Sequence, residues 1–239
     1  MFYSDNFTFN NIYSKDFNIC LVSQGTGVLN DYGIKFDINN SKDTTITLGF
    51  CYANEKGIPL EWDQEVLKNF LEWMITDDYC EFISEDNEEV VYFLKGVEYT
   101  KKFTNEFKGI VEITFNSISP FGYRHSLDEI SSNVKHFGIY NYSNYDDSYK
   151  PVITLKNISS DKITITNQTT GKAPFDIYNL KGNTEIIVDG KMGTIINSEG
   201  KNLINNSNRN WIELKKGENI FTVEGNCSIT MESYYPVMV

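Results

Sequence analysis

The chain has no arginine before residue 124, only two histidines, four cysteines and five prolines. Each shortage removes a class of function. With a formal net charge of −12 the surface repels phosphate, which argues against specific duplex DNA binding through a basic groove. The cysteines, Cys20, Cys51, Cys80 and Cys227, contain no C-x-x-C, and only His125 and His136 could join them around a metal. They read as buried thiols of a protein folded in a reducing cytoplasm. No stretch approaches the ~18 apolar residues that span a bilayer. The opening Met1-Phe2-Tyr3-Ser4-Asp5 has neither a basic nor an apolar leader region.

Catalytic motifs are also missing. The chain has no G-x-S-x-G, G-x-G-x-x-G, P-loop or H-E-x-x-H. A hydrolytic triad would need His125 or His136, and neither stands near a serine in a nucleophile turn. Adjacent carboxylates occur at Asp77-Asp78, Glu85-Asp86, Glu88-Glu89 and Asp146-Asp147. All fall in polar turns, where ionised acids are simply solvated and nothing raises a pKa as a general acid requires. No acidic loop has the D-x-[DN]-x-[DN]-G spacing of a calcium site. The expectation is a protein that is not an enzyme, with no catalytic, cofactor-binding or metal residues and no cofactor.

What is present is a strand-forming chain. Sixteen Phe and 15 Tyr in 239 residues favour pleated, half-buried surfaces. Thr44 to Phe50, Lys35 to Ile38 and Ile110 to Asn116 alternate apolar and polar residues with period two, the signature of half-buried strands. Phe82-Ile83, a polar run and Val90 to Leu94 read as a hairpin with a longish loop. One segment breaks this rhythm: from Asp63 to Thr76, Val66, Leu67, Phe70, Leu71 and Met74 recur at helical spacing, with Asp63 placed to cap the start. The spacing predicts one amphipathic helix packed on a sheet.

From about Arg124 the pattern is all β. Short strands are marked by Ile153, Ile163, Ile186, Ile195, Phe221 and Ile229, with turns at Asp189-Gly190, Glu199-Gly200 and Lys216-Gly217-Glu218-Asn219. Tyr140 to Tyr149 reads as a loop, and the polar stretch from Arg124 to Lys150 as a protease-sensitive connector. Charge divides at the same place. Residues 1–122 carry 9 Lys and no Arg against 20 acids, a net of −11, whereas residues 123–239 carry 12 basic and 13 acidic residues, a net of −1. Two domains are expected, 1–123 and 124–239.

The order of these phrases resembles the distal tail proteins of long-tailed bacteriophages. Phe7 to Ser14 is similar to that family's first strand and turn, and Trp62 to Met74, Cys80 to Ile83 and Val91 to Lys95 to its helix and hairpin. Phe115-Asn116-Ser117-Ile118-Ser119-Pro120-Phe121-Gly122-Tyr123 resembles the phrase closing its N-terminal domain. Thr184 to Asp189 and Leu214 to Ile220 resemble two phrases of its C-terminal domain. Gln24-Gly25-Thr26-Gly27-Val28-Leu29 lacks the arginine that many relatives carry there, and no segment corresponds to the carbohydrate-binding modules that some relatives insert.

The resemblance implies a mainly β protein. Residues 1–123 would be a tail-tube-like β-sandwich or barrel with one packed helix, and residues 124–239 a galectin-like antiparallel sandwich. It also implies a homo-hexamer at the distal end of the virion tail, assembled in the host cytoplasm. The ring would join the tail tube protein to the tail tip protein, leaving a channel through which DNA passes without specific binding. An alternative is a carbohydrate-binding or adhesin module recognising cell-surface glycans, for which Tyr140, Tyr142, Tyr145 and Tyr149 are candidate stacking residues.

Overall fold

The structure is a computed structural model. It describes all residues except 1–3, 23–28, 31–32, 35–43, 145–147, 181–184 and 239, and only the backbone of 4–5, 29–30 and 33–34. The expected strand Lys35 to Ile38, the loop residues Gln24 to Val28, the acids Asp146 and Asp147, and Tyr145 lie outside the described residues. The chain is mainly β and divides into two compact units, residues 1–123 with 238–239, and Arg124–Val237.

The N-terminal unit is built on an eight-stranded antiparallel sheet. Its order is Ser4–Asp5, Ile19–Val22, Thr44–Tyr52, Gly109–Ser117, Tyr92–Phe103, Cys80–Ser84, Phe7–Phe9 and Ile12–Tyr13. Ser4–Asp5 lies at one edge and Phe7–Phe9 next to the other, yet only Asn6 separates them in the chain. Two residues of chain reach at most ~7 Å. The sheet must therefore roll up until its edges nearly meet, which gives a barrel-like body. Phe9 and Ile12 pair across a two-residue turn in which Asn10 and Asn11 have φ of 51° and 61°. Positive φ at both central positions matches the twist of the flanking strands, and asparagine tolerates it better than most residues.

The inward faces supply the core. Ile46, Leu48 and Phe50 are buried while Thr45 and Thr47 are half-buried, and Val111, Ile113 and Phe115 are fully buried beside them. The helix spans Gln64–Met74 and starts where Asp63 Oδ1 accepts the N–H groups of Glu65 (2.9 Å) and Val66 (2.8 Å). It buries Phe70 and Met74. The hairpin expected at Phe82 to Leu94 is present, with Cys80 opposite Leu94 and Phe82 opposite Tyr92. Its second strand then continues to Phe103 and pairs with Gly109–Ser117.

The C-terminal unit is a sandwich. One antiparallel sheet runs Gly122–Ile130, Ser228–Val237, Val152–Lys156, Glu185–Asp189, Thr194–Asn197, and the other His136–Asn141, Gly217–Glu224, Lys162–Asn167, Phe175–Tyr178. Residues of both sheets, including Leu155, Ile186, Met231, Ile163, Phe175 and Phe221, share one buried cluster. Here two expectations are corrected. Residues 124–150 are not a weakly structured connector, because Gly122–Ile130 and His136–Asn141 are strands, and Ser148–Tyr149 pairs with Leu214–Lys215. Tyr140 to Tyr149 is likewise not one loop. Along both longer strands exposed residues alternate with more buried ones (His125, Leu127 and Glu129 in the first, His136, Gly138 and Tyr140 in the second), and the polar residues on and between these positions make their sequences read as polar.

Candidate assembly surface

Asp77, Asp78, Glu85, Asp86, Glu88 and Glu89 all sit in turns, bends or a short 3-10 segment. Glu85 accepts a hydrogen bond from Tyr13 Oη and another from Asn6 Nδ2 (2.8 Å). These bonds hold its carboxyl below the usual range, the wrong direction for a general acid. Among the described residues no group of three or more His, Cys, Asp or Glu is gathered as a metal site. No described helix is long and apolar enough to cross a membrane.

His125 has a partner that the sequence did not disclose. Its Nε2 lies 3.1 Å from Glu232 Oε1, and its ring stacks on Tyr234 at 4.5 Å between centroids. The two residues are 107 positions apart and meet because their strands are neighbours in the five-stranded sheet. His136 is exposed on an edge strand. Among the expected stacking tyrosines, Tyr140 and Tyr142 are exposed with rings 4.8 Å apart. The guanidinium of Arg124 covers the Tyr142 ring at 4.8 Å. Tyr149 is corrected: it is half-buried, packs on Tyr235, and its hydroxyl accepts the Tyr234 N–H at 2.9 Å.

The N-terminal unit exposes a different kind of surface. Residues 92–94 pair with the strand Cys80–Ser84, but beyond an isolated bridge at Gly96 no described strand covers that side of residues 97–103. Thr104 N donates to Lys108 O at 2.8 Å, which makes those two a hydrogen-bonded pair. Hydrogen-bonded and non-hydrogen-bonded pairs alternate along an antiparallel ladder. The backbone N–H and C=O groups of Phe103, Lys101 and Tyr99 therefore point to the open side.

This edge is held in place. Trp62 N donates to Phe107 O (3.0 Å), Trp62 Nε1 donates to Gly109 O (3.1 Å), and the Trp62 ring stacks on Phe103. At the tip Phe107 takes φ of 52° and is 59% exposed, and farther down the strand Tyr99 and Val97 are also exposed. Glu98, Lys101 and Lys102 put charge along the strand, and the ladder is irregular between Thr114 and Phe115. Charge and a bulge are how natural edges discourage indiscriminate pairing. Lys102 also neutralises the buried Glu112 by a direct ion pair. Sequence reading missed this surface because an open edge depends on which strands are absent beside it, and no local pattern records that.

Comparison with known proteins agrees with the architecture. Residues 121–234 match the family described as the phage tail C-terminal domain. The chain is 25% identical to the uncharacterized protein YomH derived from the SPbeta prophage of Bacillus subtilis strain 168, over 97% of each chain. The Dit protein of phage SPP1, described as a paradigm of the hub adsorption apparatus in phages infecting Gram-positive bacteria, shares its fold. That likeness has a TM-score of 0.63 at 11% identity and covers 97% of this chain and 99% of Dit. Residues 121–234 thus carry a phage tail C-terminal domain, and the chain as a whole has the fold of Dit. The resemblance of its sequence to distal tail proteins agrees with both matches.

Proposed function

We propose that this protein is a non-enzymatic hub of the phage tail, six copies of which close a ring between the tail tube and the tail tip or baseplate. Residues 1–123 are the tail-tube-like, ring-forming domain and residues 124–239 a galectin-like sandwich. The observation carrying this reading is the open strand edge at Val97–Phe103, rigidly presented in a chain with the hub fold. A head-to-tail contact that repeats around an axis closes a ring, and an unpaired edge is a ready donor and acceptor for it. DNA would pass through the ring without binding. The net of −11 on residues 1–122 would repel phosphate wherever those acids line the opening.

The test is oligomeric state. Electron microscopy and sedimentation of the purified chain should show rings, and Lys101→Pro should convert them to monomers. Proline at position 101 deletes an outward N–H and leaves the ladder to Gly109–Ser117 intact. Wild-type protein that stays monomeric at high concentration, or rings unaffected by Lys101→Pro, would refute the proposal. The glycan-binding alternative is weaker, because Arg124 already occupies a face of the Tyr142 ring that a sugar would stack on.

A further inference from the structure

We infer that Cys20 and Cys51 are a disulfide site, reduced during synthesis and closed when the protein meets an oxidising small-molecule disulfide. The two residues stand directly opposite each other on the antiparallel strands Ile19–Val22 and Thr44–Tyr52. Opposed residues in such a ladder have Cα atoms roughly 4.5 or 5.5 Å apart, both within the range that a disulfide spans without backbone movement. Cys20 Sγ lies 3.4 Å from Cys51 O, so its side chain already leans toward its partner. Val22, Ala53, Pro59 and Ile110 enclose the pair in a small apolar hollow, where a bridge displaces no buried polar group.

The chemistry balances as two thiol–disulfide exchanges. Cys20 is the more exposed of the two, and its thiolate attacks one sulfur of oxidised glutathione, forming a mixed disulfide and releasing one glutathione thiolate. Cys51 then loses its proton and attacks the Cys20 sulfur, expelling the second glutathione thiolate. The protein thiols give up two electrons and two protons, and two molecules of reduced glutathione carry them away. Hydrogen bonding to the Cys20 thiol, and then burial, hold the Cys51 thiol above its ordinary pKa. The second exchange is therefore slow near neutrality and speeds up as pH rises. A reducing cytoplasm keeps the pair open, and release from the cell supplies the occasion for closure. The bond formation itself does not depend on the tail assignment.

Closure would link two neighbouring strands of the sheet covalently. The full-length chain, incubated with oxidised glutathione at pH 8.5, should lose about 2 Da without retaining glutathione and give a cross-linked Cys20–Cys51 peptide. Its N-terminal unit should melt roughly 10 °C higher than in the reduced protein. Both changes should reverse with reductant, disappear in Cys20→Ser and persist in Cys80→Ser. Because mass and melting are compared on the wild-type chain, the result does not depend on any variant folding. Stable glutathione adducts at Cys20 without closure, dimers linked through Cys20, or no shift in melting would each overturn the inference. None of these outcomes bears on whether rings form, so the two proposals can fail separately.

Discussion

Trp73 donates its indole N–H to the backbone carbonyl of Phe9 at 3.0 Å, and its ring lies nearly parallel to Phe7, 8° between planes and 5.5 Å between centroids. One side chain thus ties the only α-helix among the described residues to the first strands of the sheet. We expect Trp73→Phe to keep most of the packing and lose the hydrogen bond, for a cost of about 1–2 kcal/mol. Trp73→Ala should cost about 3–5 kcal/mol by opening a cavity among Phe7, Phe17 and Phe70. Urea unfolding of the two variants checks the ratio, and equal costs would mean that the indole N–H rather than the packing of the ring holds the helix.

Gly122 closes the N-terminal unit because nothing larger fits. A Cβ there would stand 2.3 Å from Val90 Cγ1 and 3.1 Å from the Tyr92 ring. Its neighbours Val91 and Tyr123 exchange two backbone hydrogen bonds of 2.8 Å, so the strand cannot back away. Gly122→Ala should destabilise by about 1–3 kcal/mol through overpacking. The double variant with Val90→Ala should recover part of that loss in thermal melting.

Asn219 is fully buried and braces the turn before its strand. Its Oδ1 accepts from Lys215 N (2.8 Å) and Asn167 Nδ2 (3.0 Å), while its Nδ2 donates to Lys215 O (2.7 Å) and Gly217 O (2.9 Å). Gly217 takes φ of 85°, which a residue with a Cβ adopts at a cost. Asn219→Leu strands several buried backbone groups and should cost at least about 3 kcal/mol. Asn219→Asp should also destabilise, because a carboxylate cannot donate to the two carbonyls. A cost below 1 kcal/mol for either variant in urea titrations would show that the network is incidental.

These residues show what the sequence disclosed and what it withheld. The helix was legible because five apolar residues and an Asp cap recur at a local period, and the core strands because threonines alternate with isoleucine, leucine and phenylalanine. The phrases at Pro120-Phe121-Gly122 and Gly217-Glu218-Asn219 were visible as patterns; their causes, a glycine pressed on Val90 and an asparagine bonded four ways, are tertiary. The strand Gly122–Ile130 mimics a polar connector because His125, Leu127 and Glu129 are exposed and the residues between them are polar and only half-buried. The His125–Glu232 pair and the open edge at Val97–Phe103 depend on strand order, which no local window contains.

Alkaline stability gives a test of the C-terminal core. Burial pushes the Cys227 thiol up to about 11 and the Tyr235 phenol up to about 12, and both side chains are almost wholly inside the sandwich. Each is an acid whose folded pKa exceeds its unfolded value, so the folded state holds the proton more tightly. Their contribution is complete below pH 9 and is lost as pH rises toward 11 for Cys227 and 12 for Tyr235, because unfolding then releases protons. The expected loss between pH 8 and 11 is on the order of 2–3 kcal/mol. Cys227→Ala should lower the starting stability but flatten the slope between pH 9 and 11. Hydrogen exchange in residues 124–237 of the full chain, measured across that range, separates the two effects. An unchanged slope in Cys227→Ala would mean that another group governs alkaline unfolding.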